Sequence, residues 1–550
     1  MAPLSDIDIA QSASLKPIHD IAAAAGLRED EVEPWGGYVG KVRLSVLDRV
    51  ARKRRGKLVL VTSMTPTPYG EGKTTVTIGI AQALTRLGTK SMAGIRQPSL
   101  GPTMGIKGGA AGGGYSQVLP MEEINVHFTG DMYAISSAHN LLAAMVNNHM
   151  HHGNELHIDP RRVLWKRVMD MNDRSLRNIV VGLGETKNGM PHESGFDITA
   201  ASEVMAVLCM AKGVEDIKER LGRILVAYTM KGEPVHAGDM GAVGAMAVLL
   251  KNALKPNLVQ TIEGTPVFVH GGPFANIAHG TSSLISTRIG LGLSDYYVTE
   301  AGFGSDLGAE KFFNIVARVG ELKPDACVVV ATVRAIKRQG EGDRNPLQKG
   351  LENMDKHLSN VRMFNVPPVV AINRFPGDKE EEHNIILKHC RKIGVPSAVV
   401  NVREEGGEGG ISLAEAVMRA AESGSDYRPI YPLDVPIREK IQSIATMVYG
   451  ADRVAYSILA EKQIEHIEKD LGLGDLPVCI SKTQYSLSDD PHLVGRPRKF
   501  KITVSDVEVK AGAGFIVPHT GTITTMPGLP RRPSAVDMDI DREGKVSGLF

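Results

Sequence analysis

The sequence predicts an α/β protein: a P-loop-type parallel-sheet core, a second, smaller α/β domain and an α+β C-terminal domain. Three observations predict it. Short aliphatic runs of strand length alternate with longer stretches of helical apolar spacing. One such run leads through Gly-Glu-Gly-Lys-Thr-Thr into a helical stretch, and several others end at once in glycine and polar residues, where open parallel sheets bind their ligands.

Leu58 to Val61 suits a buried parallel strand, and Val76, Ile80, Leu84 and Leu87 then recur at helical spacing. Between them lie Thr65, Pro66, Thr67, Pro68, Tyr69, Gly70, Glu71, Gly72, Lys73, Thr74 and Thr75, the candidate nucleotide-binding loop. Gly70 and Gly72 let backbone N–H groups turn toward an anion, and the new helix presents its free amides and positive dipole end to the same point. Lys73 is placed to reach the β/γ-phosphates, and the Thr74 hydroxyl to complete a Mg²⁺ shell around the nucleotide. Thr67 stands where the strict G-x-x-x-x-G-K-[ST] pattern has its first glycine, so the loop is a variant. The alternative is a glycine-rich turn with a surface lysine.

The first ~50 residues read as helical and show no chemistry. After the loop, two prolines and a glycine hold Arg96 in an irregular turn, Ile95-Arg96-Gln97-Pro98-Ser99-Leu100-Gly101-Pro102. A guanidinium fixed there suits an anionic oxygen, the alternative being a surface ion pair. Gly105 to Tyr115, with Lys107 inside it, reads as close backbone approach to a ligand or as a linker. Asn147 to His157 gathers His149, His151, His152 and His157 at irregular spacing, which suits hydrogen-bonding or surface histidines better than a metal site.

Strand-like runs then recur at Asn178 to Val181, Ile224 to Tyr228, Pro266 to His270, Tyr296 to Glu300, Ala326 to Val333 and Val369 to Ile372. The tail is punctuated by proline and glycine with short β-like runs. We therefore divide the chain into a large nucleotide-binding domain over 1–365, a small α/β domain over 366–460 contributing to an acceptor site, and a C-terminal α+β domain over 461–550.

The 550 residues carry a formal net charge of +1, which gives no general drive toward nucleic acid or an anionic membrane. The one dense basic run, Arg52 to Arg55, reads as the solvated end of a helix. No apolar run approaches the ~18 residues of a membrane span, and Asp6 and Asp8 interrupt any leader-like segment. Four well-separated cysteines form no C-x-x-C pair, so the expectation is a soluble, cytoplasmic protein with reduced thiols.

Several of these motifs together resemble the formate–tetrahydrofolate ligase (10-formyltetrahydrofolate synthetase) family nearly end to end. The resemblance rests on Leu15-Lys-Pro-Ile, Thr67-Pro-Tyr-Gly-Glu-Gly-Lys-Thr-Thr75, Lys107-Gly-Gly-Ala-Ala-Gly-Gly-Gly, His270-Gly-Gly-Pro-Phe-Ala-Asn-Ile-Ala-His279, Glu300-Ala-Gly-Phe-Gly, Lys482-Thr-Gln-Tyr-Ser and Gly548-Leu-Phe. It implies that ATP, with Mg²⁺, phosphorylates formate to formyl phosphate, and that N10 of tetrahydrofolate attacks it to give 10-formyltetrahydrofolate. By motif position Lys73 and Arg96 are the catalytic residues, Arg96 holding formate and then formyl phosphate. Asp131 falls near the pterin, Phe303 lines the nucleotide and folate region, and Phe375 belongs to a folate clamp. The resemblance also implies a homotetramer whose partners are small molecules, with neither nucleic acid nor membrane among them.

Three departures fall in functional stretches. Gln97 replaces a glutamate linked in the family with a monovalent cation, Arg403 stands where the clamp has tryptophan, and Gln339-Gly-Glu341 replaces His-Gly-Gly. The nucleotide half is thus kept better than the acceptor half. Two alternatives stay open: a divergent ligase passing formate or another small carboxylate to a different amine, and a P-loop ATPase switch turning over ATP without formate.

Overall fold

The computed structural model describes residues 4–52, 55–106, 111–521 and 523–549. Lys53 and Arg54 of the basic run, Lys107 to Ala110 of the glycine-rich run, and Phe550 lie outside the described residues. At the centre is a 12-stranded sheet. Its strands in chain order are β1 (Val32–Pro34), β2 (Gly40–Val42), β3 (Lys57–Ser63), β4 (Ser91–Ile95), β5 (Gly112–Gly113), β6 (Ser116–Leu119), β7 (Asn257–Thr261), β8 (Pro266–Val269), β9 (Tyr296–Gly304), β10 (Pro324–Ala331), β11 (Pro368–Asn373) and β12 (Ser397–Val400).

Side by side they run β1-β2-β7-β8-β4-β9-β3-β10-β11-β12, and β6 pairs with both β7 and β5. From β8 through β12 every neighbouring pair is parallel, whereas β7, β2 and β1 add an antiparallel edge. β3 shows why the core is parallel. Val59 and Val61 pack on one face with Val76, Ile80 and Leu84, while Leu58 and Leu60 join the core on the other face. A strand buried on both faces reads as a continuous aliphatic run.

The helix α1 (Lys73–Arg86) carries the chain from β3 to β4, and β9 later inserts between those two strands while β10 takes the other flank of β3. The strand order therefore reverses around β3. The carboxyl ends beside such a reversal are the usual ligand position of open parallel sheets. Four further helices matter for the site: α2 (Asp131–His151), α3 (Val333–Gln339), α4 (Pro346–Met363) and α5 (Ile411–Ser423).

Several expectations need correction. The first 50 residues contain the β1-β2 hairpin as well as helices, because Val39 and Val42 are buried against the sheet while the Trp35-Gly-Gly37 bend is exposed. Asn178 to Val181 and Ile224 to Tyr228 do hold strands, Ile179–Val181 and Leu225–Thr229, but these pair in small antiparallel sheets outside the main one. The two strands expected to build a separate domain over 366–460 extend the main sheet instead. Val369, Ala371, Ala398 and Val400 share one core with Val59 and Val61, and α5 covers them.

The C-terminal unit has its own core, which begins near Tyr431 rather than at 461. There Ile437, Ile441 and Val448 pack against Ile502, Val504 and Ile516 of a three-stranded sheet, Arg453–Tyr456, Lys501–Lys510 and Phe515–Thr520. Those helical residues bury their apolar stripe on this sheet.

Candidate functional site

The loop after β3 is braced by its own glutamate. Glu71 is 1% exposed; its Oε1 accepts from the Thr67 amide at 2.6 Å and its Oε2 from the Thr332 hydroxyl at 2.5 Å. This carboxylate closes the loop where a first glycine is missing, so Thr67 and Glu71 face protein. Thr65 and Pro66 are buried, while Pro68, Tyr69 and Gly70 are exposed. Gly72 caps α1 at φ +72°, and a Cβ there would stand 2.5 Å from Asn373 Nδ2, which itself donates to the Glu71 carbonyl at 3.0 Å. Only glycine meets both the backbone angle and that approach.

Beyond Gly72, the first turn of α1 leaves the amides of Lys73, Thr74 and Thr75 free of intrahelical partners, at the positive end of a 14-residue helix. Lys73 Nζ lies 3.4 Å from Ser63 Oγ. Burial pulls its pKa below the usual lysine value, with Glu300 and Glu71 pulling it back up. Arg96, just past β4, donates to the Pro273 carbonyl at 3.3 Å and stands 3.5 Å from Glu300 Oε1. The Thr74 hydroxyl donates to Glu300 Oε2 at 2.7 Å. Thus β3, β4 and β9, adjacent in the sheet, bring Lys73, Thr74 and Arg96 together around one carboxylate.

Glu300 itself was missed as a site residue. It is 1% exposed, and both its Oε1 and the Arg96 Nε lack a hydrogen-bond partner. Its motif was visible, but a carboxylate is an unexpected neighbour for a phosphate. The usable signal was an acid at the end of a strand flanking β3.

Phe303 closes the same strand end. Its φ of +60° is costly for an aromatic residue, and its carbonyl accepts from Ser63 Oγ at 3.0 Å. Thr65 Oγ1 bonds His357 Nε2 at 2.9 Å, and Asn353 of α4 donates from Nδ2 both to Thr65 Oγ1 at 3.0 Å and to the carbonyl of Gly495, in the C-terminal unit, at 2.7 Å.

The acceptor-side residues lie apart. Asp131, at the start of α2, is held in a closed ion pair: Lys41 Nζ is 2.5 Å from Oδ1 and Asn257 Nδ2 is 2.7 Å from Oδ2. Asn257 begins β7, four strand spacings from β3, or ~19 Å away. Phe375, just after β11, is half-buried, and the Arg334 guanidinium lies 3.8 Å over its ring.

At the clamp's tryptophan position, Arg403 is held by two carboxylates. It binds Asp6 at 2.7 Å and Glu404 at 2.9 Å, and its carbonyl accepts from the Tyr115 amide at 2.7 Å. Two carboxylates outbid a ring face for a guanidinium. Gln339 is 3% exposed and its Oε1 accepts from the Gly495 amide at 2.8 Å, so this departure ties down the C-terminal unit; Glu341 pairs with Arg338 at the surface. Gln97 is buried with no partner for its Oε1. His149 Nε2 accepts from the Leu156 amide, and among the described residues no group of three or more His, Cys, Asp or Glu side chains is placed to hold a metal.

Four histidines are buried in neutral form. Burial lowers His270 and His357 to about 4 and His139 and His279 to about 3, against 6.5 in an exposed chain. Between those values unfolding takes up protons, so stability present above pH 6.5 is lost as pH falls. Each contributes up to ~1.4 kcal/mol per pH unit. The urea midpoint is expected to hold steady above pH 7 and to fall steeply from 6.5 toward 4; a midpoint flat over that range would mean that these rings are not buried neutral.

Such convergence of cations, a hydroxyl and a buried carboxylate at the ends of parallel strands is the architecture of an α/β enzyme acting on a small anionic substrate. The family model of formate–tetrahydrofolate ligase matches residues 4–550, and the chain belongs to that family of ligases, which form a C–N bond. Among the described residues, no helix is long and apolar enough to cross a membrane.

Proposed function

We propose that this chain catalyses the ATP-dependent ligation of formate to tetrahydrofolate, giving 10-formyltetrahydrofolate, ADP and phosphate through formyl phosphate. The observation that carries this reading is the meeting of Lys73, Thr74 and Arg96 at Glu300, in a chain of this family. The loop amides and Lys73 receive the β/γ-phosphates. The Thr74 hydroxyl and the Glu300 carboxylate, one oxygen of which has no hydrogen-bond partner, form an oxygen donor set suited to Mg²⁺. Bound with ATP, the ion would screen the charge on the transferred phosphoryl group.

Arg96 holds formate for in-line attack of its oxygen on the γ-phosphorus, as the bond to the ADP oxygen breaks. It then holds the formyl phosphate while N10 of tetrahydrofolate attacks the formyl carbon, phosphate leaves with the C–O electron pair and N10 gives up its proton. Phe303 and Phe375 offer apolar faces to the folate. Gln97 brings a neutral oxygen where the family has a carboxylate, which weakens any monovalent-cation site there. We also carry over from the family resemblance the expectation of a homotetramer. The four cysteines are buried and unpaired, which suits a reducing, cytoplasmic compartment.

The test is ADP release with ATP, Mg²⁺ and formate, with and without tetrahydrofolate, following 10-formyltetrahydrofolate directly. Turnover needing both substrates supports the reading. ADP release that needs formate but ignores tetrahydrofolate would instead favour a different amine acceptor, a reading to which the turning of Arg403 toward Asp6 lends support. For the formate site, Arg96→Ala is expected to cut kcat/KM for formate by about 100-fold. Its ADP dissociation constant should move less than about threefold. Equal losses in both would take Arg96 off the formate.

A further inference from the structure

Arg334 touches both halves of the site. Thr332, at the end of β10, caps α3 through the Ala335 amide at 3.0 Å, and the helix buries Val333, Ala335, Ile336 and Gln339 while Arg334 leaves the core. Its side chain is one third exposed, at 33%. The guanidinium donates to the Gly70 carbonyl, stands 3.5 Å from Glu71 Oε2 and lies 3.8 Å over the Phe375 ring. The ring is set from below: the Phe375 amide donates to Asp378 Oδ2 at 2.9 Å, and the ring edge lies against Gly72. One planar cation thus rests on the acceptor-side aromatic while bonded to the phosphate loop.

We infer that Arg334 is a positioning residue that covers the Phe375 face until the flat ring of the acceptor takes its place, and so links acceptor binding to the phosphate loop. This rests on the reading above that Phe375 bears the folate ring. A heterocycle and a guanidinium stack at the same height over a phenyl face, so on the face that Arg334 covers one must leave for the other to bind. The displaced guanidinium keeps its partners at Gly70 and Glu71. It therefore moves toward the loop that receives the phosphates rather than into solvent. A lysine would keep the charge but has no flat cover to offer.

The test is equilibrium binding of tetrahydrofolate and of Mg-ADP to the full chain and to Arg334→Ala, Arg334→Lys and Phe375→Ala. Arg334→Ala should bind tetrahydrofolate about threefold more tightly, since its competitor is gone. It should bind Mg-ADP about tenfold more weakly, since the loop has lost a charge-assisted bond. Arg334→Lys should share the tighter folate binding and stay near wild type for Mg-ADP. A folding lesion would weaken both ligands, so the opposite signs identify the cover. Weaker or unchanged folate binding in Arg334→Ala overturns the inference. Unchanged folate binding in Phe375→Ala removes the acceptor shelf, and with it both the inference and that part of the proposed function, whatever the Arg334 variants do.

Discussion

Lys73→Ala is expected to lower ATP-dependent turnover by roughly 10³-fold, because the loop loses the lysine proposed to receive the β/γ-phosphates while the amides and Arg96 remain. Its stability should stay close to wild type. Burial already disfavours the charged form of Lys73, and removing it leaves the Glu300 carboxylate with the Thr74 hydroxyl at 2.7 Å and the Arg96 guanidinium at 3.5 Å. The check is turnover beside thermal melting on the same preparation. Loss of activity with an unchanged melt assigns Lys73 to phosphate handling; activity within tenfold of wild type would take it off the phosphates.

Asp131→Ala should act in the opposite way, on the fold before the chemistry. Its partner Lys41 has a side chain 0% exposed, and burial already pushes that ammonium below its usual pKa, opposed chiefly by Asp131. Deleting the carboxylate strands a buried cation, at a cost of about 3–5 kcal/mol. The denaturant midpoint should fall accordingly, and a double replacement, Lys41→Met with Asp131→Leu, should recover most of the loss because no charge is left behind. If Asp131→Ala melted like wild type and lost only folate affinity, the closed pair would open in solution and Asp131 would be free to meet the pterin.

What the sequence made legible follows from local physics. The strand-to-helix turn at Gly70 to Thr75 announces itself because its glycines, lysine and first helical turn are contiguous, and the strand-end motifs at Arg96, His270, Glu300 and Phe303 fall where a parallel sheet collects ligands. Contacts set by tertiary placement did not show. Glu71 and Arg334 meet across more than 250 residues, since β10 happens to flank β3. The edge hairpin Val32 to Val42 was hidden by its helical surroundings and its three-residue strands. Val369 to Val400 looked like a separate domain because aliphatic runs say nothing about which sheet they join. Arg403 illustrates the same limit: the family resemblance puts it at the clamp's tryptophan position, and only the fold brings Asp6 to it.

Asn353 joins Thr65, by two hydrogen bonds, to Gly495, by one. One tie of the loop that opens at residue 65 therefore waits for residue 495. A ribosome working through this message exposes the nucleotide motif early but adds the Gly495 tie only nine-tenths of the way along the chain, so a product terminated before it keeps the Glu71 brace and lacks this second one.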